Sequence, residues 1–359
     1  MQASLFSIFL DYWCNFECQH CSVGSSPRTI MPMPRDVLAR AFEGLKQVPS
    51  ARVVVFTGGE PTLRLDMLLE GIRMTKERGL LCRVVTNGWW ASSEEKADAM
   101  LASLRQAGLD EINTSYDDFH EPFMRIGRIV HLVRAARKLG MRVGMGVIGD
   151  AGAKYNASTI RATLREELGL SPQELADAVV LLEDAPAPTG SGSELDVSAM
   201  DAAEKLDLGC PEVLKTVSLH PNGGVKACCG HAMFYAPDLT VGNLLEEDLP
   251  QILKRTQGNV LYWWLHMYGP KRILQRLGVE GRYSHICHAC NELLTTHRQA
   301  LFDYLAEHKH DVMLNDVLLS DNVRSAARLL LKQKSEIVAE LAGGAPARRV
   351  IAIAAEPRR

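Results

Sequence analysis

Short apolar runs alternate with amphipathic segments over the first half of the chain. The runs are rich in β-branched residues, whereas the segments between them repeat apolar residues at helical spacing. The predicted strands are Leu5–Leu10, Val53–Phe56, Arg83–Val85, Glu111–Asn113, Arg142–Ile148 and Val179–Leu182. The predicted helices are Arg35–Gln47, Leu65–Arg78, Ser93–Gln106, Glu121–Leu139 and Ser158–Leu168. This order predicts a parallel sheet, either doubly wound or a partial barrel, with ligands at the C-terminal ends of its strands.

The alternation stops near Asp184, where Ala185–Glu194 is rich in Pro, Gly, Ser and Ala and is typical of a connector. Beyond it the chain lacks repeated strand–helix units and holds one predicted hairpin at Val217–Ala227. We therefore predict four regions: a core at 1–195, a small domain at 196–300, a helical segment at 301–342 and a flexible tail at 343–359.

Composition narrows the class of protein. The 359 residues are 47% hydrophobic, and the formal net charge of -3 comes from interleaved charges. No basic tract indicates nucleic-acid binding, and no apolar run approaches the ~20 residues that span a membrane. Without a signal peptide, the expected location is the cytoplasm. The nine cysteines are an odd number for a disulfide framework, and seven fall into clusters, which favours metal or redox chemistry.

The first cluster is Cys14, Cys18 and Cys21, directly after the first predicted strand. Three thiolates on one tight loop can hold three irons of a cubane and leave the fourth iron open, which a catalytic site needs. The alternative is a zinc site whose fourth ligand could be His20. The spacing favours iron.

A second feature, Thr57-Gly58-Gly59-Glu60-Pro61, ends the second predicted strand. Together the Cys-x-x-x-Cys-x-x-Cys loop and the Gly-Gly-Glu-Pro turn resemble the signature of the radical S-adenosylmethionine (SAM) superfamily. The resemblance implies a partial (β/α)6 barrel of the TIM type, a 4Fe–4S cluster on the three cysteines, and bound SAM. It also implies that Gly58, Gly59 and Glu60 contact the methionine end of SAM.

Later strand ends extend the resemblance. Asn87 would lie over SAM, Ser115 and Asp117 would bind its ribose, and Pro188-Thr189-Gly190 would close the barrel. Gly144-Met-Gly146-Val-Ile-Gly149 spells a dinucleotide motif, but it lies in the fifth strand, where strand packing is the better interpretation. Val147 and Ile148 are then expected to touch the adenine.

Cys210, Cys228, Cys287 and Cys290 form a second set. Alone, four cysteines from two regions favour zinc over a cubane. After a radical SAM core they resemble the Twitch domain, a shortened SPASM domain. The resemblance implies a small C-terminal domain, before the helical tail, that holds an auxiliary 4Fe–4S cluster with four protein ligands. Such a cluster would carry electrons.

Three residues are candidates for catalysis. Asp118 and His120 follow the fourth strand, at the functional end of the predicted barrel. Cys229 is left over beside a ligand and is either a packed thiol or, as in radical SAM epimerases, a hydrogen-atom donor.

The resemblance implies reductive cleavage of SAM to a 5′-deoxyadenosyl radical that removes a substrate hydrogen atom. We expect oxidative modification of a ribosomal peptide or other natural product by crosslinking, epimerisation or dehydrogenation, with an electron donor such as flavodoxin or ferredoxin. The first alternative is dehydrogenation of a sugar or aminocyclitol. The alternative from another class is a non-catalytic zinc-binding protein, which would be colourless.

Overall fold

Nine strands form one continuous sheet. The computed structural model describes residues 2–149, 152–198 and 206–319. The strands are Leu5–Phe9 (β1), Val53–Thr57 (β2), Leu81–Val85 (β3), Glu111–Ser115 (β4), Val143–Ile148 (β5), Val179–Asp184 (β6), Thr216–Leu219 (β7), Gly224–Lys226 (β8) and Thr240–Asn243 (β9). The strand order is β6-β5-β4-β3-β2-β1-β7-β8-β9.

Helices follow each of the first five strands and fill the C-terminal part. They are Arg35–Lys46 (α1), Leu65–Glu77 (α2), Glu94–Ala107 (α3), Gly127–Lys138 (α4), Ala157–Leu168 (α5), Pro172–Ala178 (α6), Leu249–Gln257 (α7), Val260–Met267 (α8), Pro270–Arg276 (α9), Ile286–Leu294 (α10) and Arg298–Asp311 (α11). The helix α4 begins later than predicted because Asp117 accepts hydrogen bonds from the amides of Phe119 and His120, which holds that segment in turns. The unpredicted α6 carries a capping box between Ser171 and Glu174.

The predicted partial (β/α)6 barrel is confirmed. Strands β1 to β6 are parallel, and each pairs with its neighbours in chain order. Residues such as Val54, Phe56 and Met145 are fully buried on one face of the sheet, under the helices. Because side chains alternate along a strand, Ser115 and Ile148 point to the opposite face, which is the lumen of the barrel.

The predicted hairpin continues the barrel sheet. The strand β7 pairs parallel with β1, with Leu5 opposite Thr216, and β7, β8 and β9 then run antiparallel. The region beyond the connector is therefore joined to the core by strand pairing, and the boundary between 195 and 196 stays a prediction.

A buried ion pair anchors the end of the described chain. Asp316, in the π-helix Val312–Leu318, accepts from the indole of Trp264 and from Arg276. The predicted helical segment at 301–342 is helical as far as it is described, and the predicted flexible tail at 343–359 lies outside the described residues. Across the ranges given above, no helix combines the length and apolar character that crossing a membrane requires.

Candidate active site

A cavity of about 370 Å³ opens at the C-terminal ends of the barrel strands. Several chain segments that are distant in sequence meet there. Its lining includes Cys14, Cys18, Cys21, Gly58, Gly59, Asn87, Ser115, His120, Ile148, Cys229 and His231. The cysteine loop, the Gly-Gly turn and the ends of strands β3 to β5 therefore share one space, as the sequence predicts for a ligand site at this edge.

The first three cysteines lie on the loop that follows β1. Hydrogen bonds tie the loop to itself, from the Cys14 amide to the Ser26 carbonyl and from the Cys21 amide to the Cys18 carbonyl. Burial raises the pKa of Cys14 to about 12 and also raises that of Cys18. Such thiols ionise only when a cation takes the proton's place, so the donor set fits a metal cluster.

The two glycines of the turn clamp the cysteine loop to β2. Gly58 has φ +141°, and a Cβ there would lie 2.2 Å from the carbonyl oxygen of Asp11. A Cβ at Gly59 would lie 2.1 Å from the carbonyl oxygen of Trp13. The amides of Gly59 and Glu60 donate to these same two carbonyls. Only glycine allows this close approach, so both glycines position the cysteine loop as well as lining the cavity.

Glu60 lies behind the cavity and is not part of its lining. Its buried carboxylate accepts from the amide and hydroxyl of Thr62, the hydroxyl of Thr86 and the amide of Asn87. Burial raises the pKa of Glu60, and these hydrogen bonds oppose the rise. The geometry gives Glu60 a positioning role between the ends of β2 and β3, and its predicted contact with SAM stays a prediction.

Of the other predicted SAM contacts, Asn87 and Ser115 lie in the cavity wall. The amide nitrogen of the Asn87 side chain donates to Asn15 at 3.0 Å and lies 3.6 Å from the sulfur of Cys14. Val147 is fully buried in the core, whereas Ile148 lines the cavity. Of these two neighbours, Ile148 is therefore the residue that faces the cavity, because neighbouring strand residues face opposite sides, and the direction of Val147 does not support its predicted contact with the adenine.

Asp117 is completely buried and is absent from the cavity lining. One oxygen pairs with the His120 ring nitrogen at 2.7 Å, and the other accepts from the Ile148 amide at 3.1 Å. Burial would raise the pKa of Asp117, but hydrogen bonding and charge from His120 outweigh it and lower the pKa. Asp117 thus orients His120 and fixes β5, and its predicted contact with the ribose stays a prediction.

The two polar catalytic candidates separate. His120 lines the cavity, whereas Asp118 points to the loop after β5 and accepts from the amides of Lys154 and Tyr155. Asp118 therefore holds a loop, and only His120 stands where it can contact a substrate.

Three buried polar atoms of the cavity wall have no hydrogen-bond partner. They are the Nδ1 atoms of His20 and His231 and the hydroxyl of Ser25. Buried polar atoms are normally satisfied, so these are the groups that a bound ligand would engage. The sequence prediction missed Ser25 and His231, and His231 could have been noticed because it follows Cys228 and Cys229 so closely.

The second set of cysteines converges beside the cavity. Burial, and then the charges of Cys228, Cys287 and Cys210, raise the pKa of Cys290, so all four sulfurs are neighbours. A Cβ at Gly230 would lie 2.8 Å from the sulfur of Cys287 and 3.9 Å from that of Cys228. Glycine at this position leaves room for the cysteine group.

The spacing of these sulfurs bears on the metal. Within the described ranges, the one group of three possible ligands whose atoms all lie within 4.8 Å of one another is His20, Asp117 and His120. No three cysteine sulfurs are that close, whereas a tetrahedral zinc with Zn–S bonds of ~2.3 Å holds its sulfurs ~3.8 Å apart. The donor chemistry of both cysteine sets, all thiolate, fits an iron–sulfur cluster.

Cys229 borders the cavity of the first cysteine set and follows a cysteine of the second set in the sequence. It lines the cavity next to the auxiliary cysteine Cys228, and Gly230 and His231 line the cavity after it. Burial raises the pKa of the Cys229 thiol to about 11, against a smaller lowering by the Ser7 hydroxyl. Cys229 therefore borders the same space as the cysteine loop after β1.

A hydrogen-bonded chain links the two cysteine sets. The Tyr12 hydroxyl is 2.6 Å from Nδ1 of His220, whose Nε2 is 2.9 Å from the Ser218 hydroxyl. Ser218 donates to the carbonyl of Cys228 at 2.8 Å. The cysteine loop and the auxiliary cysteines are therefore held at a fixed separation.

The connector after β6 packs on the cysteine loop. The Ser191 amide donates to the Cys21 carbonyl, and Tyr235 donates to the Ser22 carbonyl. A Cβ at Gly190 would lie 2.6 Å from both of those carbonyl oxygens. The segment Pro188–Gly190, which was predicted to close the barrel, thus lies against the cysteine loop.

Comparison with known proteins agrees with this site. A family model described as the Radical SAM superfamily matches residues 9–166, which contain the cysteine loop and the strand ends of the cavity.

Individual proteins are more distant. The Bacillus subtilis (strain 168) protein named "Putative peptide biosynthesis protein YydG" is 22% identical over 311 residues, covering 83% of this chain and 94% of the relative. A solved structure of anSMEcpe with bound AdoMet and Cp18Cys peptide is 12% identical, covers 90% of this chain and 100% of that chain, and has a TM-score of 0.49. Streptococcus suis SuiB bound to S-adenosylmethionine is 16% identical, covers 75% and 68%, and has a TM-score of 0.45.

Proposed function

We propose, from the match of residues 9–166 to the Radical SAM superfamily model, that this chain removes a hydrogen atom from a peptide carbon and that Cys229 returns one. The net reaction is inversion of that carbon, one of the three modifications that the sequence suggests. The Bacillus subtilis relative supports this substrate class, since its name assigns it to peptide biosynthesis.

One observation carries the proposal: the three cysteines of the β1 loop and Cys229 line the same cavity. The two groups approach it from different segments, the loop after β1 and the loop after β8. A carbon bound between them can lose a hydrogen atom toward one wall and receive another from the opposite wall, which changes its configuration.

The family's cofactors supply the radical. SAM and a 4Fe–4S cluster held by Cys14, Cys18 and Cys21, when bound, provide the 5′-deoxyadenosyl radical that takes the hydrogen atom. The protein's task is to hold the reacting carbon and to exclude water. His20, Ser25 and His231 offer unpartnered polar atoms for holding these ligands.

The hydrogen balance assigns a definite part to Cys229. The substrate carbon loses one hydrogen atom to 5′-deoxyadenosine and gains one from the Cys229 thiol, so the substrate keeps its composition. The thiol regains its hydrogen from one proton and one electron. The adjacent cysteines Cys210, Cys228, Cys287 and Cys290 would hold an auxiliary 4Fe–4S cluster, which supplies a one-electron path at that point.

The wider setting follows from this chemistry. Each cluster needs electrons from outside, so the partner is a one-electron donor such as flavodoxin or ferredoxin. Reduced thiols and such donors occur together in the cytoplasm, which we propose as the location. Neither a nucleic acid nor a membrane has a part in the proposed reaction.

Isotope labelling in D2O tests the proposal. The exchangeable Cys229 thiol becomes S–D, so candidate ribosomal peptides should gain one deuterium at an inverted residue, with equal amounts of 5′-deoxyadenosine. Cys229→Ala should still form 5′-deoxyadenosine but should give no inverted, deuterated peptide. Cys82→Ala is the matched control, because Cys82 is a buried cysteine outside the cavity lining.

Other results would redirect the function. A peptide that loses two hydrogens would indicate crosslinking or dehydrogenation, with electrons leaving the substrate. Turnover of a sugar or aminocyclitol with no peptide product would instead support the alternative function, dehydrogenation of a small molecule. Unchanged inversion in Cys229→Ala would remove Cys229 from the mechanism.

A further inference from the structure

The edge of the barrel sheet carries an exposed apolar strip. Among the described strands, β6 pairs only with β5 and so ends the sheet. Two of its residues, Leu182 and Val180, are 62% and 38% exposed. Free edge strands with apolar side chains are uncommon because they invite pairing with another chain.

Strand register connects this strip to the cavity. Ser115 of β4 lies opposite Gly146 of β5, which lies opposite Leu182 of β6. Because paired residues share a face of the sheet, Leu182 lies on the lumen side, in the same row as Ser115 of the cavity wall. The strip therefore begins in the cavity and runs outward across β5 to the open edge.

Two of the three glycines that spell the dinucleotide motif, Gly144 and Gly146, lie in β5 between the cavity wall and the edge strand. Gly144 lies in the row of Asn113 and Val180 and is covered by the Asn113 side chain, since a Cβ there would lie 2.4 Å from its Oδ1. A Cβ at Gly146 would meet nothing closer than the Ser115 hydroxyl at 3.4 Å, so its absence leaves space above the sheet. Glycine in a strand interior is typical of a place where another backbone approaches closely.

We infer that this strip, Val180 and Leu182 with the open position at Gly146, binds an extended peptide segment with apolar side chains next to the residue that is modified. This inference rests on the proposed function and names the chemistry of its substrate. The edge strand offers a row of backbone groups that only another extended backbone matches, and six residues of β6 span about 20 Å, more than one sugar ring fills.

Binding of two labelled probe peptides to the reconstituted protein with SAM tests the inference without any need for turnover. The probes are Lys-Val-Ile-Val-Ile-Lys and Lys-Ser-Asn-Ser-Asn-Lys, which have equal length and charge. Fluorescence anisotropy should give about tenfold tighter binding of the apolar probe, the effect of burying one large aliphatic side chain.

Leu182→Ser should remove most of that preference. Leu81→Ser is the matched control, because Leu81 is also a strand leucine, is 55% exposed and is the first residue of β3, a strand inside the sheet and not at its edge. The control should keep the preference. Equal binding of both probes to the unmodified protein, or an undiminished preference in Leu182→Ser, would overturn the inference.

Light scattering on the same samples measures the oligomeric state and so tests whether a second copy of the chain covers the strip. If the unmodified protein is a dimer that Leu182→Ser converts to a monomer, a second copy covers the strip and the inference is wrong. If apolar peptides bind to the strip but no deuterium is incorporated into any peptide, the strip binds peptides as inferred but the proposed inversion reaction is wrong.

Discussion

The two cysteine sets of this chain are built in opposite ways. Cys14, Cys18 and Cys21 lie within eight residues on one loop, and the Gly58–Gly59 turn clamps that loop to the sheet. The other four come from three separate segments, around Cys210, around Cys228 and at the start of α10. The first set is a local motif, whereas the second exists only after the chain has folded.

This difference has consequences for stability as well as chemistry. Three ligands on one loop leave a cluster with an open position for SAM, and losing that cluster removes a reaction but few tertiary contacts. Four ligands from distant segments close a cluster and also hold those segments together, so its metal contributes to folding. The open site, formed by the three cysteines of the β1 loop, should control SAM cleavage. The closed site, formed by the other four cysteines, should control both stability and the steps that follow SAM cleavage.

The largest effect is expected at the open site. Replacing Cys14, Cys18 and Cys21 together with Ala should reduce 5′-deoxyadenosine formation to background, because no thiolate remains to hold the reactive cluster. The melting temperature should change little. Product analysis by chromatography and thermal unfolding measure the two outcomes, and formation of 5′-deoxyadenosine at the unmodified level would end the radical SAM account.

The closed site should give the reverse pattern. Cys287→Ala with Cys290→Ala should lower the melting temperature clearly and block peptide modification, while SAM cleavage continues at a reduced rate, since the first cluster remains. Circular dichroism must first show that the barrel is intact. Undiminished peptide modification in this double variant would show that the auxiliary cysteines have no part in turnover.

A smaller effect is expected at Asp117. Its carboxylate holds His120 and the Ile148 amide rather than the cavity, so Asp117→Ala leaves buried donors unsatisfied at a cost of about 1–3 kcal/mol in stability. SAM binding should weaken several-fold, indirectly and with unchanged iron content. Calorimetric titration and thermal unfolding check this. A large loss of SAM affinity with no loss of stability would mean that Asp117 contacts the ribose directly.

Much of the fold could be predicted from the sequence because its signals are local. Apolar periodicity located the strands and helices of the barrel, and the motif spacing located the cysteine loop and the Gly-Gly turn. The pairing of β7 with β1 could not be predicted, because register between strands more than 200 residues apart leaves no local pattern.

The candidate site was harder to predict for a related reason. Their positions at predicted strand ends showed that Glu60, Asp117 and Asp118 were near the site, but the directions of their side chains depend on partners such as Thr86, Ile148 and Tyr155. A carboxylate at a strand end can face the ligand or support the wall behind it. Strand alternation could have shown that Ile148 rather than Val147 faces the cavity, but only once one residue facing the lumen was known.

Metal counting tests the central claim that both cysteine sets hold iron–sulfur clusters. Anaerobically reconstituted protein should contain about eight irons per chain, as expected for two cubanes, and essentially no zinc. The Cys14, Cys18 and Cys21 triple variant should keep about four irons, held by the auxiliary cysteines. About four irons and one zinc in the unmodified protein would contradict the account, because the second site would then be a structural zinc with no part in electron transfer.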